Sequence, residues 1–337
     1  MNKSFSSGTC GYRALISGTG SALPARQLSN DDLTKMVETS DDWITTRTGI
    51  KVRRIAEDSE TTAQLAAAAA EKALASAGIS AQDIELIIVG TITPEMVFPS
   101  TACFVQEALG AKNSWAFDLN AACSGFVYSL SVAQHFIAGG RHRNALVIGA
   151  ETLSKITDYT DRTSCILFGD GAGAVVVQQG KTDGKGILYS TMASDGGGWT
   201  SISCQAYGSR FPVSKALDNP KKVFMQINGR EVYQLAVRKI IETVNECLDK
   251  CGLKIDDVGM LIPHQMNARI IESVAKRLEI AEDRVFMNIA TYGNTSAASI
   301  PIALDECIRS GKIKTGDIVI LVTFGAGLTW GANVIQF

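Results

Sequence analysis

The chain contains a copy of part of itself. Residues 77–90, Ala77-Gly78-Ile79 through Val89-Gly90, align with residues 251–264, Cys251-Gly252-Leu253 through Pro263-His264. Each copy reads as a helix end, a glycine stop, an aspartate and a buried strand. The helices expected ahead of them, Thr62 to Ala77 and Glu231 to Cys251, carry apolar residues at helical spacing. Downstream, Phe136-Ile137-Ala138-Gly139 followed by Ala145-Leu146-Val147-Ile148 matches Cys307-Ile308-Arg309-Ser310-Gly311 followed by Ile318-Val319-Ile320-Leu321. Two copies of one α/β unit narrow the available folds severely. Strands apolar on both faces, alternating with helices, imply largely parallel sheets covered by helices. Two such units stack as a five-layer αβαβα body. The duplication divides the chain into a first half at 12–185, an irregular, polar, glycine-rich connecting segment at 186–220 and a second half at 221–337. Asp317 to Phe337 reads as two strands joined at Gly325-Ala326-Gly327, and Ile166 to Val177 as a similar strand–turn–strand unit.

A chain of 337 residues, 46% hydrophobic and with a formal net charge of −2, buries a large core and is neither disordered nor a generic nucleic-acid binder. Its apolar runs are strand-length or interrupted, and the first seven residues lack the apolar stretch of a signal peptide, so no membrane insertion is expected and the cytoplasm is the expected compartment. Eight cysteines are scattered with no C-x-x-C pair beside only three histidines. Reduced core thiols, and no metal site, follow from that pattern.

Cys123 is the candidate nucleophile. It lies in Phe117-Asp118-Leu119-Asn120-Ala121-Ala122-Cys123-Ser124-Gly125, where a strand-like run turns into a helix. Unpaired N–H groups at a helix N-terminus favour thiolate and bring cysteine pKa values into the range ~3.5–7.5. The duplication superimposes Cys123 near Asn294 and replaces Gly90 of the first half by His264 of the second. If the halves pack about a pseudo-twofold axis, Cys123, His264 and Asn294 converge in one pocket.

The segments Ala121-Ala122-Cys123-Ser124-Gly125, Pro263-His264-Gln265-Met266-Asn267 and Tyr292-Gly293-Asn294-Thr295-Ser296-Ala297-Ala298-Ser299 resemble those of β-ketoacyl-acyl-carrier-protein synthase III, a thiolase-like condensing enzyme. Thr46-Arg47-Thr48-Gly49-Ile50, Phe168-Gly169-Asp170-Gly171-Ala172-Gly173-Ala174 and Thr329-Trp330-Gly331 extend the likeness over nearly the whole chain. Residues 1–11 are similar to no part of it and look like an added N-terminal arm. The resemblance implies a two-stage Claisen condensation that starts fatty-acid synthesis. Cys123 takes a short acyl group, acetyl first among candidates, from acyl-CoA, with the N–H groups of Cys123 and Ala326 holding the oxyanion. His264 and Asn294 then stabilise the enolate formed when malonyl-acyl-carrier protein loses CO2. No bound cofactor is implied, because the CoA thioester is a substrate.

The same resemblance assigns Trp43, Arg47 and Arg162 to CoA. Arg269, Lys276 and Arg277 fall at i, i+7 and i+8 on one helix face and, with Arg230, form the expected docking patch for an acidic acyl-carrier protein. Phe98 matches an aromatic that crosses a homodimer interface to bound the acyl pocket. Met266 and Tyr292 stand at positions that differ or vary in the family, and Met266 bears on acceptor preference. Three other readings remain: a condensing enzyme of specialised metabolism with another primer or acceptor, a catalytically silent carrier-protein scaffold, and a papain-like Cys-His-Asn protease. The last lacks the protease's local sequence around its cysteine. Gly18-Thr19-Gly20-Ser21 and Gly169-Asp170-Gly171-Ala172-Gly173 lack the full pattern of a nucleotide loop and are read as tight turns.

Overall fold

A computed structural model describes residues 11–181, 184–215 and 219–337. Apart from Gly11, the expected N-terminal arm lies outside them. The first half runs β1 (Tyr12–Ala22), β2 (Gln27–Ser29), α1 (Asn30–Thr34), α2 (Asp41–Thr48), β3 (Val52–Arg54), α3 (Thr62–Ala77), β4 (Leu86–Gly90), α4 (Thr101–Leu109), β5 (Trp115–Leu119), α5 (Gly125–Ala138), β6 (Asn144–Glu151) and β7 (Gly171–Lys181). The second runs β8 (Gly186–Ser194), β9 (Ile202–Ser203), β10 (Gln226–Ile227), α6 (Gly229–Cys251), β11 (Val258–Pro263), α7 (Ala268–Leu278), α8 (Ile289–Tyr292), α9 (Ser299–Arg309), β12 (Ile318–Gly325) and β13 (Thr329–Gln336).

The repeat is built with the same local devices. Gly78 ends α3 and Gly252 ends α6, both at φ 67° and ψ 30°, a conformation glycine adopts without a Cβ clash. The following turn is closed by Asp83 accepting from Ser80 N at 2.9 Å in one copy and Asp257 accepting from Lys254 N at 2.7 Å in the other. The sheets then match strand for strand. The first has the order β1-β7-β6-β4-β5 and the second β11-β12-β13-β8, so β4-β6-β7-β1 corresponds to β11-β12-β13-β8. The partner of β5 in the second half is reduced to a single parallel bridge between Leu261 and Val285.

The five layers follow from where the apolar faces go. α5 and α9 lie between the sheets, with Phe126, Leu130, Ile137, Ile300, Leu304 and Cys307 fully buried against strands of both. The alanine-rich α3 and α4 cover the outer face of the first sheet, and α6 and α7 cover that of the second. Burial of this kind, at about 25 cal/mol per Å² of apolar surface, is the main force holding the layers together.

Three expectations need correction. The sheets are mixed rather than largely parallel: only β4–β5, β4–β6 and β11–β12 run parallel, while β1–β7, β6–β7, β12–β13 and β13–β8 run antiparallel. Strands covered on both faces are apolar whichever way they run, so the pattern carries no direction. Residues 186–194, expected in the irregular segment, form β8, whose pairing partner β13 is too distant in sequence to leave a local signal. Ile166 to Val177 holds one strand, not two. Its leading residues bond instead to Arg53 and Asn294, with only Phe168 making an isolated bridge.

Candidate active site

The N-termini of α5 and α9 meet at the centre of the molecule. Ahead of α5, Asn120 Oδ1 accepts from Ala122 N at 3.4 Å; ahead of α9, Asn294 Oδ1 accepts from Ser296 N at 2.9 Å. Ala122 and Ser296 both take positive φ, 48° and 49°, which L-residues adopt only when the surroundings enforce it. A single turn of 3-10 helix then leads into each helix. The true counterpart of Asn294 is therefore Asn120, and that of Cys123 is Ala297, one step finer than the alignment alone resolves.

Cys123, His264 and Asn294 line one cavity of about 130 Å³, together with Ser296, Gly325 and Ala326. Cys123 is half-buried and opens onto this cavity. The β12–β13 turn is pressed against it: Thr323 Oγ1 donates to Cys123 O at 3.0 Å and Thr329 Oγ1 to Ala121 O at 3.0 Å. Gly325 is required for that approach, since a Cβ there would lie 2.8 Å from Cys123 Cβ. The approach brings the Ala326 N–H to the sulfur beside Cys123's own N–H. Two N–H groups converging on a nucleophilic sulfur can hold a developing oxyanion.

Burial pushes the Cys123 thiol up to about 11, with Ser296 and the two N–H groups opposing in part. The N-terminus of α5 acts in the same direction as those donors, favouring the thiolate against burial. His264 is 1% exposed, and burial drives its pKa down to about 3. Neither of its ring nitrogens has a partner within the protein. A buried, unpartnered, neutral imidazole is a costly arrangement, and here it offers an N–H to whatever enters the cavity. Asn294 is oriented by the same logic: its Oδ1 is taken by Ser296 N, which leaves the Nδ2 amide as a donor. Glu151, fully buried at the end of β6, accepts from Thr93 Oγ1 at 2.6 Å and from Thr93 N at 3.1 Å, and burial pushes it up to about 7.

The other expected residues fall at the rim or on the surface. Trp43, Arg47 and Arg162 come together: the guanidinium carbons of Arg47 and Arg162 sit 4.3 Å and 5.2 Å from the Trp43 ring centroid. Asn267 caps α7 by accepting from Arg269 N and donates to Arg47 O at 3.0 Å, which ties that cluster to α7. Arg269, Lys276 and Arg277 are exposed along α7, while Ile270, Ile271, Val274 and Leu278 bury the opposite face. Glu272 is exposed among them and dilutes the positive charge. Arg230 falls in α6, and its side chain lies outside the described residues. Phe98 is 82% exposed beside Val97 at 78%, so it does not pack in the core of its own chain. Val97 and Met96 line a cleft of about 910 Å³ that shares Ala122 and Ala326 with the first cavity.

Sequence reasoning passed over Glu151, Thr323 and the fully buried Arg53, and gave Thr329 no role beyond its place in a motif. Glu151 closes the apolar strand run of β6, a position that marks it as buried; Thr323 and Arg53 carry no comparable mark. Among the described residues no helix is long and apolar enough to cross a membrane.

Residues 117–196 match the family model described as 3-oxoacyl-[acyl-carrier-protein] synthase III, and residues 248–337 match the one described as its C-terminal part. The β-ketoacyl-[acyl-carrier-protein] synthase III of Caldanaerobacter subterraneus is 53% identical over 324 residues, covering 96% of this chain and 97% of that protein. The protein of the same name from Clostridioides difficile is 51% identical over 325 residues, covering 96% and 98%. Among solved structures, 3-oxoacyl-[acyl-carrier-protein] synthase III from Aquifex aeolicus superposes with a TM-score of 0.89 at 48% identity, over 96% of this chain and 100% of that one. With its thiolase-like fold and these likenesses along almost its full length, the chain belongs to the 3-oxoacyl-[acyl-carrier-protein] synthase III family.

Proposed function

We propose that this protein condenses a short acyl-CoA, acetyl-CoA foremost, with malonyl-acyl-carrier protein, releasing CoA and CO2 and forming β-ketoacyl-acyl-carrier protein at the start of fatty-acid synthesis. The observation that carries this reading is the single cavity lined by Cys123, His264 and Asn294. In the first stage Cys123 Sγ attacks the thioester carbonyl, the N–H groups of Cys123 and Ala326 bind the oxyanion, and the C–S bond to CoA breaks. The thiol proton ends on the departing CoA sulfur. In the second stage the malonyl C–C bond to the carboxylate breaks and its electron pair passes into an enolate. The His264 N–H and the Asn294 Nδ2 donate to the enolate oxygen. The carbanion carbon attacks the acyl-Cys123 carbonyl, the Cys123–acyl bond breaks, and the released thiolate takes a proton from solvent. A neutral donor suits this step, because His264 needs no titration near neutral pH.

The Trp43–Arg47–Arg162 cluster supports a nucleotide-binding entrance, since an indole face flanked by guanidinium groups suits an adenine and its phosphates. The exposed cations of α7 support docking of an acidic carrier protein. Edge strand β5 pairs only with β4 and carries the exposed Trp115. An open strand edge with apolar side chains is a surface a second copy covers, and Phe98 stands free to enter that copy's acyl cleft. The functional unit in this reading is a homodimer. The seven cysteines among the described residues are all unpaired, which suits a reducing compartment, the cytoplasm. The CoA thioester is a substrate, and the steps above use no cofactor.

Intact-protein mass spectrometry after incubation with acetyl-, butyryl-, isobutyryl- and octanoyl-CoA tests the reading. It predicts a Cys123 adduct that malonyl-acyl-carrier protein discharges as a β-ketoacyl product. No adduct with any acyl-CoA would overturn it.

A further inference from the structure

The residues assigned to the CoA entrance come from two separate segments, α2 and the 158–167 region, and one buried side chain joins them. Arg53 is 0% exposed, and its hydrogen-bond partners are a carbonyl and an amide oxygen rather than carboxylates. Its Nε donates to Ile166 O at 3.0 Å, Nη2 donates to the same carbonyl, and Nη1 donates to Asn30 Oδ1 at 2.6 Å. Burial lowers its pKa to about 10, which leaves it charged at neutral pH.

Each partner passes the grip onward. Asn30 Nδ2 donates to Asp41 Oδ1 at 2.7 Å and to Ile50 O at 2.8 Å, and so holds α2 at its first turn and just beyond its last. Trp43 and Arg47 lie between those two points. Ile166 follows Arg162 through tight turns, with Cys165 N donating to Asp161 O at 3.0 Å and Leu167 N to Ser164 O at 3.1 Å. The next residue, Leu167, accepts from Asn294 N at 2.9 Å. A planar guanidinium donates in a fixed fork to Ile166 and to Asn30 at once, and Asn30 carries the hold to α2. A buried charge is expensive, and an apolar residue would fill this space without that cost.

We propose that Arg53 is a positioning residue for the CoA entrance, locking α2 against the 158–167 segment so that Trp43 and Arg162 form a fixed slot for the nucleotide end of an acyl-CoA. The proposal rests on the reading that Trp43, Arg47 and Arg162 hold CoA. Arg53 touches neither the substrate nor Cys123, so its loss weakens nucleotide binding and leaves the chemistry of a bound thioester in place.

The test is Cys123 acylation by acetyl-CoA and by acetyl-pantetheine, which lacks the nucleotide, measured on the full chain carrying Arg53→Lys. Lysine keeps the charge and loses the fork. The KM for acetyl-CoA rises ~10-fold, a loss of about 1.4 kcal/mol of nucleotide binding, while kcat for both thioesters and the KM for acetyl-pantetheine stay near those of the unaltered chain. Equal losses with both thioesters, or an unchanged KM for acetyl-CoA, would overturn the proposal. Trp43→Ala separates the two layers of the argument. If it leaves the ratio of the two KM values unchanged, the CoA assignment falls and the proposal with it. If it changes the ratio and Arg53→Lys does not, only the proposal falls. Should Arg53→Lys fail to fold, Asn30→Ala, which releases α2 alone, is read in the same way, and an unchanged ratio overturns the proposal.

Discussion

The two halves share a backbone and differ in chemistry. Asn120 and Asn294 make the same turn, Ala122 and Ser296 the same positive φ, and α5 and α9 the same entry into the central layer. Yet Cys123 stands opposite Ala297, and Gly90 opposite His264. Asn120 is exposed, whereas Asn294 is buried with its amide directed by Ser296 N. A duplicated scaffold brings residues of both halves to one cavity, and the proposed mechanism gives them different steps. In the proposed mechanism the first half carries the nucleophile and the CoA cluster. The second carries the decarboxylation donors and the carrier-protein helix.

The most severe way to break this division is Cys123→Ala, which makes the first half match Ala297 of the second. Acyl-enzyme disappears from the mass spectrum, and label persisting on the variant would place the nucleophile elsewhere. Next in size is His264→Ala, which removes one enolate donor. Decarboxylation falls ~10²–10³-fold, the cost of one such donor, and acylation falls less. Because burial holds His264 neutral down to about pH 3, the decarboxylation rate of the unaltered protein shows no limb near pH 6.5. Such a limb would mean that the imidazole titrates and that its role is acid–base. Smaller again is Arg269→Glu on α7, which raises the KM for malonyl-acyl-carrier protein several-fold in low salt and leaves acylation by acyl-CoA unchanged. An unchanged KM would remove α7 from the docking surface.

The smallest effect concerns Glu151, which occupies in β6 the place that Gly325 occupies in β12. Its pKa is raised from 4.5 to about 7, so between those values the native chain binds more protons than the unfolded one. Stability contributed by this group falls as pH rises through that window. His264, lowered from 6.5 to about 3, acts oppositely: the unfolded chain binds the extra proton, and stability rises with pH up to about 6.5. The two offset each other between pH 4.5 and 6.5. Glu151→Gln removes the falling contribution, and its melting temperature climbs with pH across that interval more steeply than that of the unaltered chain. Parallel profiles would show that Glu151 ionises normally in the fold.

Much of this was legible in the sequence because the duplication constrains both halves at once. Gly78 and Gly252, the paired strands β4 and β11, and the opposition of Gly90 to His264 all read directly from the alignment. Strand direction was hidden, since β7 and β13 are apolar for the same reason as their parallel neighbours. β8 was hidden because its pairing partner β13 is remote. The helix N-terminus at Cys123 is visible in sequence, whereas the close approach of Gly325 to its Cβ is a long-range fact. Arg53, beside Arg54 in a short charged run, carries no local mark of burial, because its acceptors, Asn30 and the carbonyl of Ile166, come from two other segments.

The division of labour between the halves is tested most directly by Asn294→Ala, incubated with acetyl-CoA and then with malonyl-acyl-carrier protein while intact mass is followed. The account predicts that Cys123 is acetylated nearly as fast as in the unaltered protein and that the adduct then persists, because the enolate has lost a donor. An adduct that never forms, or one discharged at the unaltered rate, would contradict it.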